Sequence, residues 1–212
     1  NIFILGIKVM DTILVFDFGG QTAQLIARRI RELGVFSKVV PGNTLFDPDS
    51  LEELKGIILS GSPYSVYDSV APIPDRSLFD YGVPILGICY GMQYLIKLNG
   101  GEVSRSHTSE YGQVNVTHYQ ESRLFKSIPF TISSWMSHGD SVEKTPPGFK
   151  QIACSEFGKI SAVETTDQKN GNVLYGLQFH PEVSHTEYGL KILENFSIDI
   201  CKAARMWSAE RV

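Results

Sequence analysis

Only three cysteines occur in the 212 residues, at positions 89, 154 and 201. An odd number at such wide spacing argues against a disulfide framework and for a reducing compartment, with the cytoplasm as the expected location. Neither sign of charge dominates: 23 acidic residues against 19 basic ones leave a net charge of −4. The chain therefore has no electrostatic reason to bind nucleic acid or an anionic membrane. Long hydrophobic runs are missing too. The apolar opening stretch, residues 1–9, is too short to span a bilayer and lacks the basic start and small-residue cleavage site of a signal peptide. Met10-Asp-Thr-Ile-Leu14 has the character of a natural start, so residues 1–9 are read as upstream or artificially appended sequence. There is no C-x-x-C and no H-E-x-x-H, and the H-x-E of His180-Pro-Glu182 lacks the downstream P-C-x-x-C of zinc deaminases. No metal site is expected.

What is present is the composition of an ordinary globule, 42% hydrophobic and 20% charged, at a length that fits one large domain. From Thr12 onward, short β-rich runs alternate with helical periodicity, the signature of an α/β fold with parallel strands. Ile13–Phe16, Val35–Val40, Gly56–Leu59 and Val83–Ile88 read as strands. Helices are expected over Gln21–Leu33, near Pro48–Leu54, and from Cys89 to Asn99. After Gly101 the runs 114–117, 130–136, 149–154, 160–165 and 173–179 are strand-like with no helices between them, suggesting antiparallel strands added to the same domain. A last helix is expected over about Thr186–Ala204. The predicted fold is thus a single α/β domain, a central mostly parallel sheet flanked by helices, with additional antiparallel strands in the second half.

The run Val83-Pro-Ile-Leu-Gly-Ile-Cys-Tyr-Gly-Met-Gln93 carries the chemistry. A strand-length apolar stretch meets a cysteine flanked by Gly87 and Gly91, then a helical pattern. This matches the frame of a nucleophile on a sharp strand-to-helix turn, where neighbouring side chains have no room. A helix beginning at Cys89 would direct unpaired N–H groups and partial positive charge at the sulfur, favouring thiolate. Cys154 and Cys201 have no such frame and are read as packing residues. Gln178-Phe-His-Pro-Glu182 supplies a base and its orienting group: His180 and Glu182, two residues apart on extended backbone, point to one face. Oxyanion donors are expected from Tyr90 N–H and from Gly61 N–H in the loop Ser60-Gly-Ser-Pro-Tyr-Ser65.

With these pieces in place, the chain resembles the class I (triad) glutamine amidotransferase domain, and within it the glutaminase domain of GMP synthase. The resemblance covers Asp11 to about Ile200. Asp17-Phe-Gly-Gly-Gln21, Gln24-Leu-Ile-Ala-Arg-Arg-Ile-Arg-Glu-Leu-Gly34, Ser60-Gly-Ser-Pro-Tyr-Ser-Val-Tyr-Asp68, Gly87-Ile-Cys-Tyr-Gly-Met-Gln93, Trp135-Met-Ser-His-Gly-Asp140 and Gln178-Phe-His-Pro-Glu-Val-Ser-His-Thr186 occur in that order. The resemblance implies hydrolysis of L-glutamine to glutamate and ammonia through a thioester on Cys89, with His180 and Glu182 as partners. It implies substrate contacts from Gln93 and from a loop of Ser137, His138, Gly139 and Asp140. The domain itself would span residues 10–204, with 205–212 starting a linker to a synthetase domain absent from the chain. That ATP-pyrophosphatase partner, as domain or subunit, would bind ATP, magnesium and XMP, and no cofactor is expected in the domain itself. Other readings are the glutaminase subunit of an anthranilate or aminodeoxychorismate synthase, a glutamine-binding regulatory module without turnover, and a thiol hydrolase acting on other amides.

Overall fold

The structure is a computed structural model that describes residues 10–47, 53–119, 121–166 and 173–208. The strands in chain order are β1 (Thr12–Asp17), β2 (Phe36–Pro41), β3 (Leu54–Leu59), β4 (Ile85–Ile88), β5 (Glu102–His118), β6 (Thr131–Lys144), β7 (Phe149–Ser155), β8 (Ile160–Thr165) and β9 (Leu174–Leu177). The helices are α1 (Ala23–Glu32), α2 (Tyr90–Leu98) and α3 (Gly189–Glu194). All nine strands join one sheet in the order β2-β1-β3-β4-β9-β8-β7-β5-β6. Pairing is parallel from β2 through to β9 and antiparallel from β9 to β6.

The inner parallel strands β1 and β4 are buried on both faces, which is why they read as apolar runs, whereas β2, at the edge, is only partly buried and carries the exposed Lys38. Successive side chains of a strand point to opposite faces. Ile13 and Val15 of β1 accordingly pack into a cluster with Ile26 and Ile30 of α1 and Ile192 of α3. Leu14 and Phe16 face the other way, toward Met92 and Leu95 of α2. The α1 stripe of Ala23, Ile26, Ala27 and Ile30 is buried at helical spacing, and the chain leaves the helix through Gly34 at φ +83°. Among the described residues no helix is long and apolar enough to cross a membrane.

Three expectations need revision. The final strand, β9, is not simply another antiparallel addition: it pairs antiparallel with β8 and parallel with β4, returning the chain to the middle of the sheet. The strands expected at 114–117 and 130–136 are parts of a much longer ladder between β5 and β6, so Ser137 to Asp140 lie in a strand and not in a loop. Their polarity hid them. The final helix starts at Gly189, because Tyr188 sits in the left-handed region at φ 56°, and it continues from Asn195 to Ile200 with π-type hydrogen bonding. The helix expected near Pro48–Leu54 falls mostly on residues 48–52, outside the described residues, and Leu54 begins β3.

Candidate active site

Strand β4 lies between β3 and β9, all three parallel. Whatever follows their carboxyl ends is therefore brought together, the usual position of a site in an open parallel sheet. Cys89 follows β4 directly, Gly61 lies just past β3, and His180 just past β9. The junction is fixed by the Cys89 N–H donating to the Leu177 carbonyl at 2.7 Å.

Cys89 has φ 53° and ψ −106° and is the residue immediately preceding α2. A non-glycine residue in that region carries about 1–3 kcal/mol of strain. The close seat of α2 explains the flanking glycine: a Cβ on Gly91 would collide with the Leu59 carbonyl oxygen. Because glycine adopts positive φ freely, Cys89→Gly is expected to be more stable than Cys89→Ala by about 1 kcal/mol, the reverse of the ordinary order. Urea unfolding of the two variants checks this, and an alanine variant at least as stable would mean that the turn stores no strain.

His180 Nδ1 lies 2.8 Å from Glu182 Oε1, the ring adjoins Cys89 closely enough for the sulfur to influence its protonation, and the Cys89 Sγ–H donates to the Ser137 carbonyl at 3.7 Å. With Nδ1 engaged, Nε2 is the nitrogen left for sulfur. Gly61 packs against the same ring: a Cβ there would stand 3.1 Å from His180 Cε1 and 3.8 Å from Cys89 Cβ. Tyr90 opens α2, where a backbone N–H has no partner within the helix. The sequence-predicted residues Cys89, His180, Glu182, Gly61 and Tyr90 thus meet in one place.

Burial is the largest influence on His180 and disfavours its charged form. The adjoining Cys89 sulfur, the hydrogen bond with Glu182 and the charges of both outweigh it and raise the ring from 6.5 to about 10. Glu182 is fully buried and its Oε2 has no hydrogen-bond partner among the described residues, so a protonated His180 is the group placed to compensate a charge there. The backbone here is clamped. The Thr186 hydroxyl donates to the His180 carbonyl at 2.6 Å and accepts from the Trp135 N–H at 2.9 Å. The His180 N–H donates to the Trp135 carbonyl, and Arg29 Nε on α1 donates to the Glu182 carbonyl. Thr186 and Arg29 both lie within motifs that carry the resemblance, but the sequence assigns neither a role, because their roles depend on contacts across the fold.

A cleft of about 390 Å³ opens beside Cys89, large enough for an amino acid. Gln93, Ser137, His138, Gly139 and Asp140 all border it. Two of them are committed internally. Gln93 Nε2 donates to the Asp140 carbonyl at 2.9 Å and to Gln178 Oε1 at 3.3 Å. His138 is buried, with Nδ1 2.8 Å from the Asp140 carbonyl and Nε2 3.0 Å from Glu110 Oε2. Burial opposes ionisation of Glu110, but hydrogen bonds from His138 and Ser155 win and hold its carboxyl below the usual range. The Asp140 carboxylate accepts from the Ser65 hydroxyl at 2.5 Å. Asp68 and Arg105 also border the cleft; Asp68 ends the motif over residues 60–68, where nothing marks it as a site residue, and Arg105 stands in a strand with no motif around it. Cys201 is buried, which pushes its thiol well up, and Cys154 is half-buried, so neither has the setting of Cys89.

Residues 14–200 match the family described as Glutamine amidotransferase class-I. The chain is 49% identical over 201 residues to the GMP synthase (glutamine-hydrolyzing) of Borreliella burgdorferi, a match covering 94% of this chain and 38% of that protein. It is 48% identical over 207 residues to the protein of that name from Pelodictyon phaeoclathratiforme, covering 95% of this chain and 40% of the relative. The chain therefore spans about two fifths of the length of these curated relatives. The solved structure of a candidate GMP synthase component from Thermoplasma acidophilum superposes with a TM-score of 0.79 at 32% identity, covering 92% of this chain and 95% of that one. A glutamine amidotransferase from Thermotoga maritima shares the fold, with a TM-score of 0.65 at 21% identity over 93% of this chain and 87% of that one. On the extent of the family match alone, the chain belongs to the class I glutamine amidotransferase family.

Proposed function

We propose that the chain hydrolyses L-glutamine to glutamate and ammonia through a γ-glutamyl thioester on Cys89. The observation that carries this reading is the row Cys89, His180, Glu182 at the ends of adjacent strands, with His180 Nδ1 2.8 Å from Glu182 and Gly61 against the ring. Thiolate, the reactive form of cysteine, attacks the side-chain amide carbon. The oxyanion that develops meets the N–H groups of Gly61 and Tyr90. His180 Nε2–H then protonates the departing nitrogen, the C–N bond breaks, and ammonia leaves. Water next attacks the thioester, gives its proton to Nε2, and glutamate departs as the thiolate is restored. Glu182 keeps the ring oriented and balances its charge throughout. The zwitterionic head of glutamine lies in the first cleft, near Ser137, Gly139 and Asp140, with Gln93 holding that wall in place.

The names of the relatives support a further step, the use of this ammonia to aminate XMP to GMP in a synthetase part outside the chain. ATP and magnesium belong to that part, and the chain's own site needs no cofactor for the steps above. Coupled assay tests both halves. The purified chain should release equimolar glutamate and ammonia from glutamine. Added to a synthetase component with ATP, magnesium and XMP, it should let glutamine replace ammonium salts in forming GMP. Absence of glutamate release under both conditions overturns the glutaminase assignment. Release without glutamine-dependent GMP formation assigns the ammonia to another acceptor.

A further inference from the structure

Cys89 borders two clefts, and the head of glutamine fills only the first. The second, of about 450 Å³, is walled by residues 19–22 of the turn between β1 and α1, together with Gly61 and His180. Ser62, Pro63 and Ser137 join Cys89 in the ridge common to both. His180 faces the second cleft and does not border the first, whereas Gln93 borders the first alone. We infer that the second cleft is the port through which ammonia leaves the acylated site and water enters it, with Gln21 on its rim. This rests on the glutaminase reading.

Charge separates the two clefts. Asp68, Arg105 and Asp140 border the first, groups of both signs that suit the charged head of an amino acid. The second is bordered by glycines, proline and neutral polar residues, with His180 as its titratable base, and suits a small neutral molecule. Proton transfer selects the same side. The departing nitrogen must receive its proton from Nε2, so it sits on the imidazole side of the acyl carbon. Water must surrender a proton to that nitrogen and therefore approaches from where ammonia left. With the γ-glutamyl group bound, its head occupies the first cleft, and the opening that remains on the imidazole side is the second. Its wall is firmly built: Asp17 Oδ1 accepts from the Gly19 N–H at 2.9 Å, and the Ser62 hydroxyl donates to the Phe18 carbonyl at 2.8 Å.

Hydroxylamine is a suitable probe, since it attacks the thioester, forms a C–N bond, passes its proton to His180 and expels thiolate to give γ-glutamyl hydroxamate. Entering by the same port as water but being larger, it should be the more hindered of the two when the port narrows. For Gln21→Trp, with an exposed position chosen to spare the core, the hydroxamate-to-glutamate ratio at fixed hydroxylamine should fall about tenfold. Glutamine affinity, measured in a Cys89→Ala background, should stay within about twofold of the parent, a gap of about 0.4 kcal/mol. Tyr64→Trp, at the border of the first cleft, should raise KM and leave the ratio unchanged. Gln21→Arg repeats the test should the tryptophan variant fold poorly. An unchanged ratio in both Gln21 variants, or a ratio moved by Tyr64→Trp instead, overturns the port. A wild-type chain that makes neither glutamate nor hydroxamate overturns the glutaminase reading beneath it, a result distinct from an active wild type with an unchanged ratio.

Discussion

Cys89→Ala is expected to lower kcat for glutamine hydrolysis by roughly 10⁵-fold or more, the scale seen when a nucleophile is removed from a triad that acts as a unit. Binding should survive. The polar side chains of the first cleft, the Asp140 carboxylate among them, keep their partners, and the change removes only the long contact from the sulfur to the Ser137 carbonyl, so calorimetric titration should still detect glutamine. The fold should survive as well, because β4, the Cys89 backbone and its N–H bond to Leu177 do not depend on sulfur. Losing one partly packed sulfur atom costs about 1 kcal/mol, and the positive φ at this position persists in alanine. Turnover within tenfold of wild type in a verified alanine variant would remove the thioester from the mechanism. Loss of binding together with turnover would instead mean that the sulfur, or the turn that holds it, shapes the substrate cleft.

The Cys89 frame was legible in the sequence because several constraints converge there on few residues. A strand buried on both faces leaves an unbroken apolar run, and a helix seated against β3 demands Gly91, so Ile85–Gly91 records both its place in the sheet and its turn. His180 and Glu182 were legible as a pair because extended backbone puts alternate residues on one side. The path that brings them to Cys89 was not legible. Strand β9 pairs with β4 in parallel and β8 in antiparallel fashion, and the Leu174–Leu177 run is compatible with either partner. Ser137 to Asp140 misled for a different reason: their side chains spend their polarity on Glu110, Ser65 and the cleft, so a strand buried among polar partners looks like a loop. The second cleft leaves no local trace at all, since it is made by residues after β1, β3, β4 and β9 meeting beyond the carboxyl ends of these neighbouring strands, with Ser137 of β6 beside them. Proximity across a parallel sheet is a property of strand order, which no short motif encodes.

Glu182→Gln should reduce kcat by roughly 10²–10⁴-fold, since the orienting member of a triad contributes through the ring it holds. The pH profile separates this from simple misfolding. Burial lowers the His180 pKa, whereas Glu182 raises it by hydrogen bond and by charge, and the balance with Cys89 included stands at about 10. Removing the carboxylate charge takes away part of the opposing side, so the His180 pKa must fall. The alkaline limb of the rate profile, where the general acid loses its proton, should therefore move to lower pH. Stability follows the same sign. A histidine whose folded pKa lies above its unfolded value of 6.5 stabilises the fold fully below that value and loses the contribution as pH rises through about 10. The stability gap between wild type and Glu182→Gln should accordingly be widest near neutrality or below and narrow progressively toward pH 10. Urea unfolding across this range, alongside initial rates, reads both effects. An alkaline limb that stays in place while kcat falls would mean that Glu182 does not govern the proton on His180, and would leave it with the backbone role suggested by the Arg29 contact to its carbonyl.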